Sequence, residues 1–114
     1  MIFLTFYILI GKQYIMNIKI ILIIIAFVNL NEKEAFEYYR SKIRAKYELV
    51  GAKPVKYPIK HGVIGEKKPD FIMVVEFPNQ EALEKLFNSE DYKKLIPYRK
   101  KAFTDLKVFI SEKK

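Results

Sequence analysis

Residues 71–99 read FIMVVEFPNQEALEKLFNSEDYKKLIPYR, and this stretch decides the fold. Phe71 to Phe77 is an apolar run of strand length that Pro78 ends, because proline has no N–H to give a further ladder bond. Asn79 stands where a helix N-cap belongs, ahead of Ala82, Leu83, Leu86 and Phe87 at helical spacing. Ser89 repeats the signal, with Glu90 and Asp91 in the first turn, where the helix dipole favours acids. Pro97 then interrupts the pattern of Tyr92, Leu95, Ile96, Arg99 and Phe103, which predicts a kink or a restart.

Upstream, six isoleucines lie within Ile18–Ile25, a β-branched density that suits a buried strand, read as Ile18–Val28. Asn31 is placed to cap the next helix, with Glu34 reaching back to it. Ala35, Phe36, Tyr39, Ile43, Tyr47 and Val50 form one apolar stripe of that helix, and Gly51 is its stop. Lys53–His61 alternates: Val55, Tyr57, Ile59 and His61 share one face, and Pro54, Lys56, Pro58 and Lys60 the other. Two prolines mark it as an edge strand, and Gly62–Asp70 reads as a loop or turn. Downstream, Leu106, Val108 and Ile110 alternate with Lys107, Phe109 and Ser111 as the last strand.

The order strand, helix, strand, strand, helix, strand is the split βαβ arrangement, an α+β ferredoxin-like fold with an antiparallel sheet and helices on one face. The first and third strands are apolar on both faces, yet the helices can cover only one. A second copy is the simplest cover for the other face, so a homodimer with sheets face to face, a dimeric α/β barrel, is expected.

Composition agrees with a single domain. The 114 residues are 51% hydrophobic, with nine Phe and eight Tyr, enough for a real core. There is no cysteine, which removes disulfides and thiolate chemistry and fits a cytoplasmic protein. The net charge of +8 comes from lysines and arginines spread among glutamates, with no recognition motif, so nucleic-acid binding is not expected. Residues 1–30 are apolar, but Lys12 and Lys19 leave uncharged runs below the roughly 18 residues of a membrane span. A signal peptide starting at Met16 would lack a small-x-small cleavage pattern, and its removal would take away the first strand. The domain is therefore set at 16–114. Residues 1–15 are either an extension upstream of a true start at Met16, or an extra strand or partner-binding arm over Ile2–Ile10.

With order and motif together, roughly residues 18–112 resemble a small bacterial and archaeal family of unknown function in the dimeric α/β-barrel superfamily. Its members carry a strand ending Glu-Phe-Pro, a helix, Ser-x-Glu-Tyr, and Pro-x-Arg before the last strand. Glu76-Phe77-Pro78, Ser89, Tyr92, Pro97 and Arg99 match, with Asp91 as one extra residue, and only Gly51 matches the glycine pair that usually precedes the second strand. The resemblance implies the ferredoxin-like fold and a dimer. Superfamily relatives include small monooxygenases, lactone isomerases and haem-dependent enzymes, an analogy of fold only.

Four residues stand out as catalytic candidates. His61, the one histidine, is either a general base near a pocket or a strand-end residue meeting water. Glu76 ends an apolar strand, where a carboxylate needs a partner, and Arg99 is the expected one through bidentate contacts. That pair either handles a small polar substrate or fixes the kinked helix and the dimer, and the structural role is favoured. Tyr92 is read as core with its hydroxyl satisfied, and Tyr38 and Tyr39 likewise. Phe71 and Phe77 invite comparison with RNA-binding domains of this topology, but the glycine-containing motif of those domains is missing. No cofactor is expected, and no His/Asp/Glu cluster has metal-ligand spacing. The expected function is a cofactor-independent small-molecule enzyme or ligand-binding protein, with its pocket between helices and sheet lined by His61, Glu76, Tyr92 and Arg99. The alternative is a non-catalytic structural or interaction homodimer.

Overall fold

The computed structural model describes residues 18–65 and 67–113, so the expectations for residues 1–15 and a start at Met16 lie outside the described residues. Four strands, β1 (Ile20–Val28), β2 (Lys53–Pro58), β3 (Phe71–Phe77) and β4 (Phe103–Glu112), form one antiparallel sheet in the order β2-β3-β1-β4. The helices are α1 (Lys33–Leu49), α2 (Gln80–Phe87), α3 (Glu90–Lys93) and α4 (Ile96–Ala102). This is the ferredoxin-like fold. The sheet is open, so the barrel expected from the sequence requires a second copy.

The helix ends follow their local chemistry. Asn79 Oδ1 accepts the Ala82 N–H at 2.8 Å, and Ser89 Oγ accepts the Tyr92 N–H at 3.1 Å, so both capping expectations hold. Pro97 produces a restart: α4 begins at Ile96 with Pro97 in its first turn, where a missing N–H costs nothing. At the end of α1, Gly51 adopts φ +74°, its N–H meets the Glu48 carbonyl, and the Ala52 N–H reaches the Tyr47 carbonyl at 2.9 Å. That is a Schellman stop. The start of α1 differs from expectation. Asn31 does not cap it; Glu32 holds the cap position without a side-chain bond. The Glu32 N–H bonds the Asn29 carbonyl and the Asn31 N–H bonds Asn29 Oδ1, so a turn consumes Asn31 and delays the helix.

Strand β2 is an edge strand, as its prolines require, but it stops at Pro58 rather than His61. The Ile59 N–H still meets the Asp70 carbonyl at 3.0 Å. Beyond it Pro69 has no N–H to answer, and pairing ends.

Register divides the sheet into two faces. Ile20, Leu22, Ile24 and Ala26 of β1, with Phe71, Met73, Val75 and Phe77 of β3, face the helices; Val75 and Phe77 are fully buried there. Phe71 and Phe77 therefore pack under helices and form no exposed stacking platform. On the opposite face, Val55, Val74, Ile23 and Phe109 align in one row across all four strands. Among the described residues nothing covers that row: Val55 is 49% and Phe109 54% exposed.

Candidate functional site

Between sheet and helices lies a cleft of about 890 Å³. One end of the layer is sealed by Ile20, Phe77, Leu86 and Leu95, all buried. The cleft opens along β4. Val108 and Ile110 pair with Ile24 and Leu22 and share their face, yet they are 47% and 59% exposed. The helices thus leave part of their own side of the sheet uncovered.

Its walls are largely apolar and aromatic, including Phe36, Met73, Phe87 and Phe103. Among the polar side chains on these walls, three form a connected chain. Arg99 Nη1 donates to Tyr92 Oη at 2.8 Å, and Tyr92 Oη lies 3.1 Å from Tyr39 Oη. Each member has a local reason for its position. Tyr39 occupies the apolar stripe of α1 between Ala35 and Ile43. Tyr92 is fixed in the first turn of α3 by the Ser89 cap. Arg99 follows one turn after the Leu95–Pro97 restart, its N–H bonded to the Leu95 carbonyl. The guanidinium also lies 5.9 Å from the Tyr92 ring centroid.

Burial pushes the Tyr39 phenol well above its ordinary value of 10.0, with the neighbouring Tyr92 adding to the rise and Arg99 opposing it. Tyr39 is therefore a neutral hydroxyl across the physiological range. Burial pushes Tyr47 up in the same direction, with Tyr92 contributing. Two hydroxyl protons share one O···O contact, so one bridges and the other has no acceptor among the described residues. Of the five guanidinium N–H donors of Arg99, one is engaged with Tyr92. The chain can donate hydrogen bonds to an acceptor in the cleft and stabilise negative charge there.

The sequence candidates separate cleanly. Tyr92 and Arg99 come together in the cleft. Glu76 does not join them, because Val75 and Phe77 point to the helices and Glu76, between them, points the other way. Its carboxylate meets Lys113 Nζ at 2.8 Å and Lys19 Nζ at 3.5 Å instead of Arg99. The Lys113 hydrogen bond, with the charges of Lys113 and Lys19, holds its carboxyl below the ordinary 4.5 against a smaller desolvation. His61 sits in the exposed loop after β2, its Nδ1 3.2 Å from the Gly62 carbonyl oxygen, and does not line the cleft. Tyr38 is not core: it is exposed and stacks on Tyr98 at 4.3 Å.

Sequence reasoning missed Tyr39 as a site residue, having placed it in the core, and missed Lys56. The β2 alternation already puts Lys56 on the face opposite Val55, and its ammonium sits 4.3 Å from the Phe71 ring centroid at the mouth of the cleft. Among the described residues no three His, Cys, Asp or Glu side chains converge as a metal cage would require.

Fold and cleft define a ferredoxin-like α+β domain with a site between its layers. The chain belongs to the family described as domain of unknown function DUF1330, whose model matches residues 22–113. No curated protein matches it significantly. Among solved structures it is similar to a protein of unknown function from Rhodopseudomonas palustris at 17% identity, with 92% of each chain covered and a TM-score of 0.75. A dimeric ferredoxin-like protein of unknown function from Thermobifida fusca is similar at 12% identity, covering 88% of this chain and 95% of that one, with a TM-score of 0.60. A conserved protein of unknown function from Bacteroides thetaiotaomicron, described as a possible oxidoreductase, is similar at 17% identity, covering 85% and 99%, also with a TM-score of 0.60. At these identities the likeness is one of fold. Among the described residues no helix is long and apolar enough to cross a membrane.

Proposed function

We propose that this protein is a homodimer whose cleft takes a cytoplasmic small organic molecule, as a ligand-binding protein or as an enzyme working without a cofactor. The observation that carries the reading is the Arg99–Tyr92–Tyr39 chain, a set of convergent donors on the wall of an otherwise apolar cleft. A core that existed only to hold the fold together would gain nothing from leaving such a space open beside a guanidinium. The dimer is supported by the apolar row on the opposite face and by the dimeric state of the Thermobifida fusca relative. The two faces of one sheet then have separate tasks. Glu76, held by two lysines on the partner-facing side, belongs to assembly rather than to the cleft.

The alternation along β1 supplies the test. Methyl-labelled protein is titrated with a fragment library, and shifts are followed at Leu22, Ile24 and Met73 in the cleft and at Ile23, Ile25 and Val74 on the other face. Fragments that bind should move the first set and leave the second. A library that moves only the second set, or neither, would remove the reading.

A further inference from the structure

We infer that the ligand of this cleft is an organic anion, a carboxylate or phenolate on an apolar, aromatic-sized body, with its charged end at Arg99. This rests on the cleft being a small-molecule site and names what that site selects. Charge favours an anion. Arg44, Lys56, Arg99 and Lys100 line the cleft, and none has a carboxylate in ion-pair contact among the described residues. Arg40 also lines it, but is taken by Glu37. One acidic residue, Asp105, borders the cleft; its register opposite Phe27 sets it on the alternate face from Leu106 and Val108, and it is in ion-pair contact with none of these cations. A cleft with low-dielectric walls, bordered by four cations that lack an ion-pair partner among the described residues, three of them solvent-exposed, concentrates anions.

Hydrogen bonding favours an acceptor. Arg99 has spare N–H donors beside a tyrosine pair with one unclaimed hydroxyl proton, so the polar part of the wall offers donors. A planar carboxylate accepts from a guanidinium in bidentate fashion, and such charge-assisted bonds are roughly twice as strong as neutral ones. A neutral amide presents one acceptor and a competing N–H₂, which these donors cannot serve. The aromatic and aliphatic walls fit a body of one or two rings, the part of the ligand that supplies burial while the anion supplies orientation.

The test uses three probes of one shape: 2-naphthoate, 2-naphthamide and 2-naphthylmethylammonium. Dissociation constants are measured on the full chain by methyl shifts at Leu22, Ile24 and Met73. The expected result is naphthoate binding at least tenfold more tightly than the amide, and the ammonium most weakly. Arg99→Gln should weaken naphthoate several-fold more than the amide, leaving only the residual attraction of the other cations on the cleft, and Arg99→Lys should recover part of the preference. Equal affinities for acid and amide in the unmodified protein would overturn the inference and leave the small-molecule site standing. So would a preference that Arg99→Gln leaves undiminished. If none of the three probes moves the cleft methyls, inference and site fall together.

Discussion

In the proposed homodimer, replacing Val74 with lysine should leave a folded monomer. Val74 is an inner member of the row Val55, Val74, Ile23 and Phe109, the widest uninterrupted apolar strip on the open face. Val55 and Phe109 are each about half exposed in the single chain. Full burial of such a side chain is worth roughly 1.5–3 kcal/mol, so covering the exposed halves gives about 1 kcal/mol apiece. With two copies of the row, these two positions supply about 4 kcal/mol before Ile23 and Val74 are counted. Lysine at 74 would place an ammonium in the middle of that strip. The nearest acid on this face, Glu76, already serves Lys19 and Lys113. An unpaired charge in a buried contact costs about 3 kcal/mol, and twofold symmetry imposes it twice, for about 6 kcal/mol. That is about four powers of ten in the dimer dissociation constant. Sedimentation velocity over a concentration series reads it directly. Circular dichroism should be unchanged, because position 74 faces away from the helices and the core. A dimer of unaltered affinity in Val74→Lys would refute the reasoning, and so would an unmodified protein that sediments as a monomer.

Three further outcomes follow from individual residues. Gly51→Ala should lower stability by about 1–2 kcal/mol in urea unfolding, because φ +74° is strained for an L side chain; an added Cβ would be in ordinary contact at 3.8 Å from Pro78, so crowding contributes nothing. The Tyr39 phenol is raised in the folded state, so its contribution is complete below the unfolded value of 10.0 and is lost as pH climbs above it. Tyr39→Phe should therefore flatten the alkaline limb of a pH–stability profile. Glu76 is lowered in the folded state, so its contribution is present above the unfolded value of 4.5 and is lost as pH falls through the folded one. Glu76→Gln should lose part of the acid-dependent decline in melting temperature, and identical acid limbs would contradict the lysine pairing.

Much of this architecture was legible in the chain because local chemistry and burial agree. Asn79, Ser89, Pro97 and Gly51 each have one physical role available to them, and each performs it. The two-faced apolarity of β1 and β3 likewise announced an open sheet face. The site was harder to read because it depends on which face a residue takes and on what crosses the layers. Strict alternation from Val75 through Glu76 to Phe77 already places Glu76 opposite the helices, so a pairing with Arg99 contradicts the strand's own period. The error with His61 came from extending an alternation past the point where Pro69 stops the ladder. Tyr39 could not be told from a core tyrosine, since a hydroxyl on an apolar stripe reads the same whether it meets a filled interior or a cleft. Only the three-dimensional juxtaposition with Tyr92 and Arg99 distinguishes the two.

In the proposed homodimer the two faces of this sheet do different work, one covered by a second copy and one open to a small molecule. Paramagnetic relaxation by a soluble gadolinium chelate, read at the methyl groups of the assembled protein, tests it in one spectrum. Ile23, Val55 and Val74 should be shielded while Val108 and Ile110, at the mouth of the cleft, relax strongly. Strong relaxation at Ile23 and Val74, with Val108 and Ile110 shielded, would contradict it.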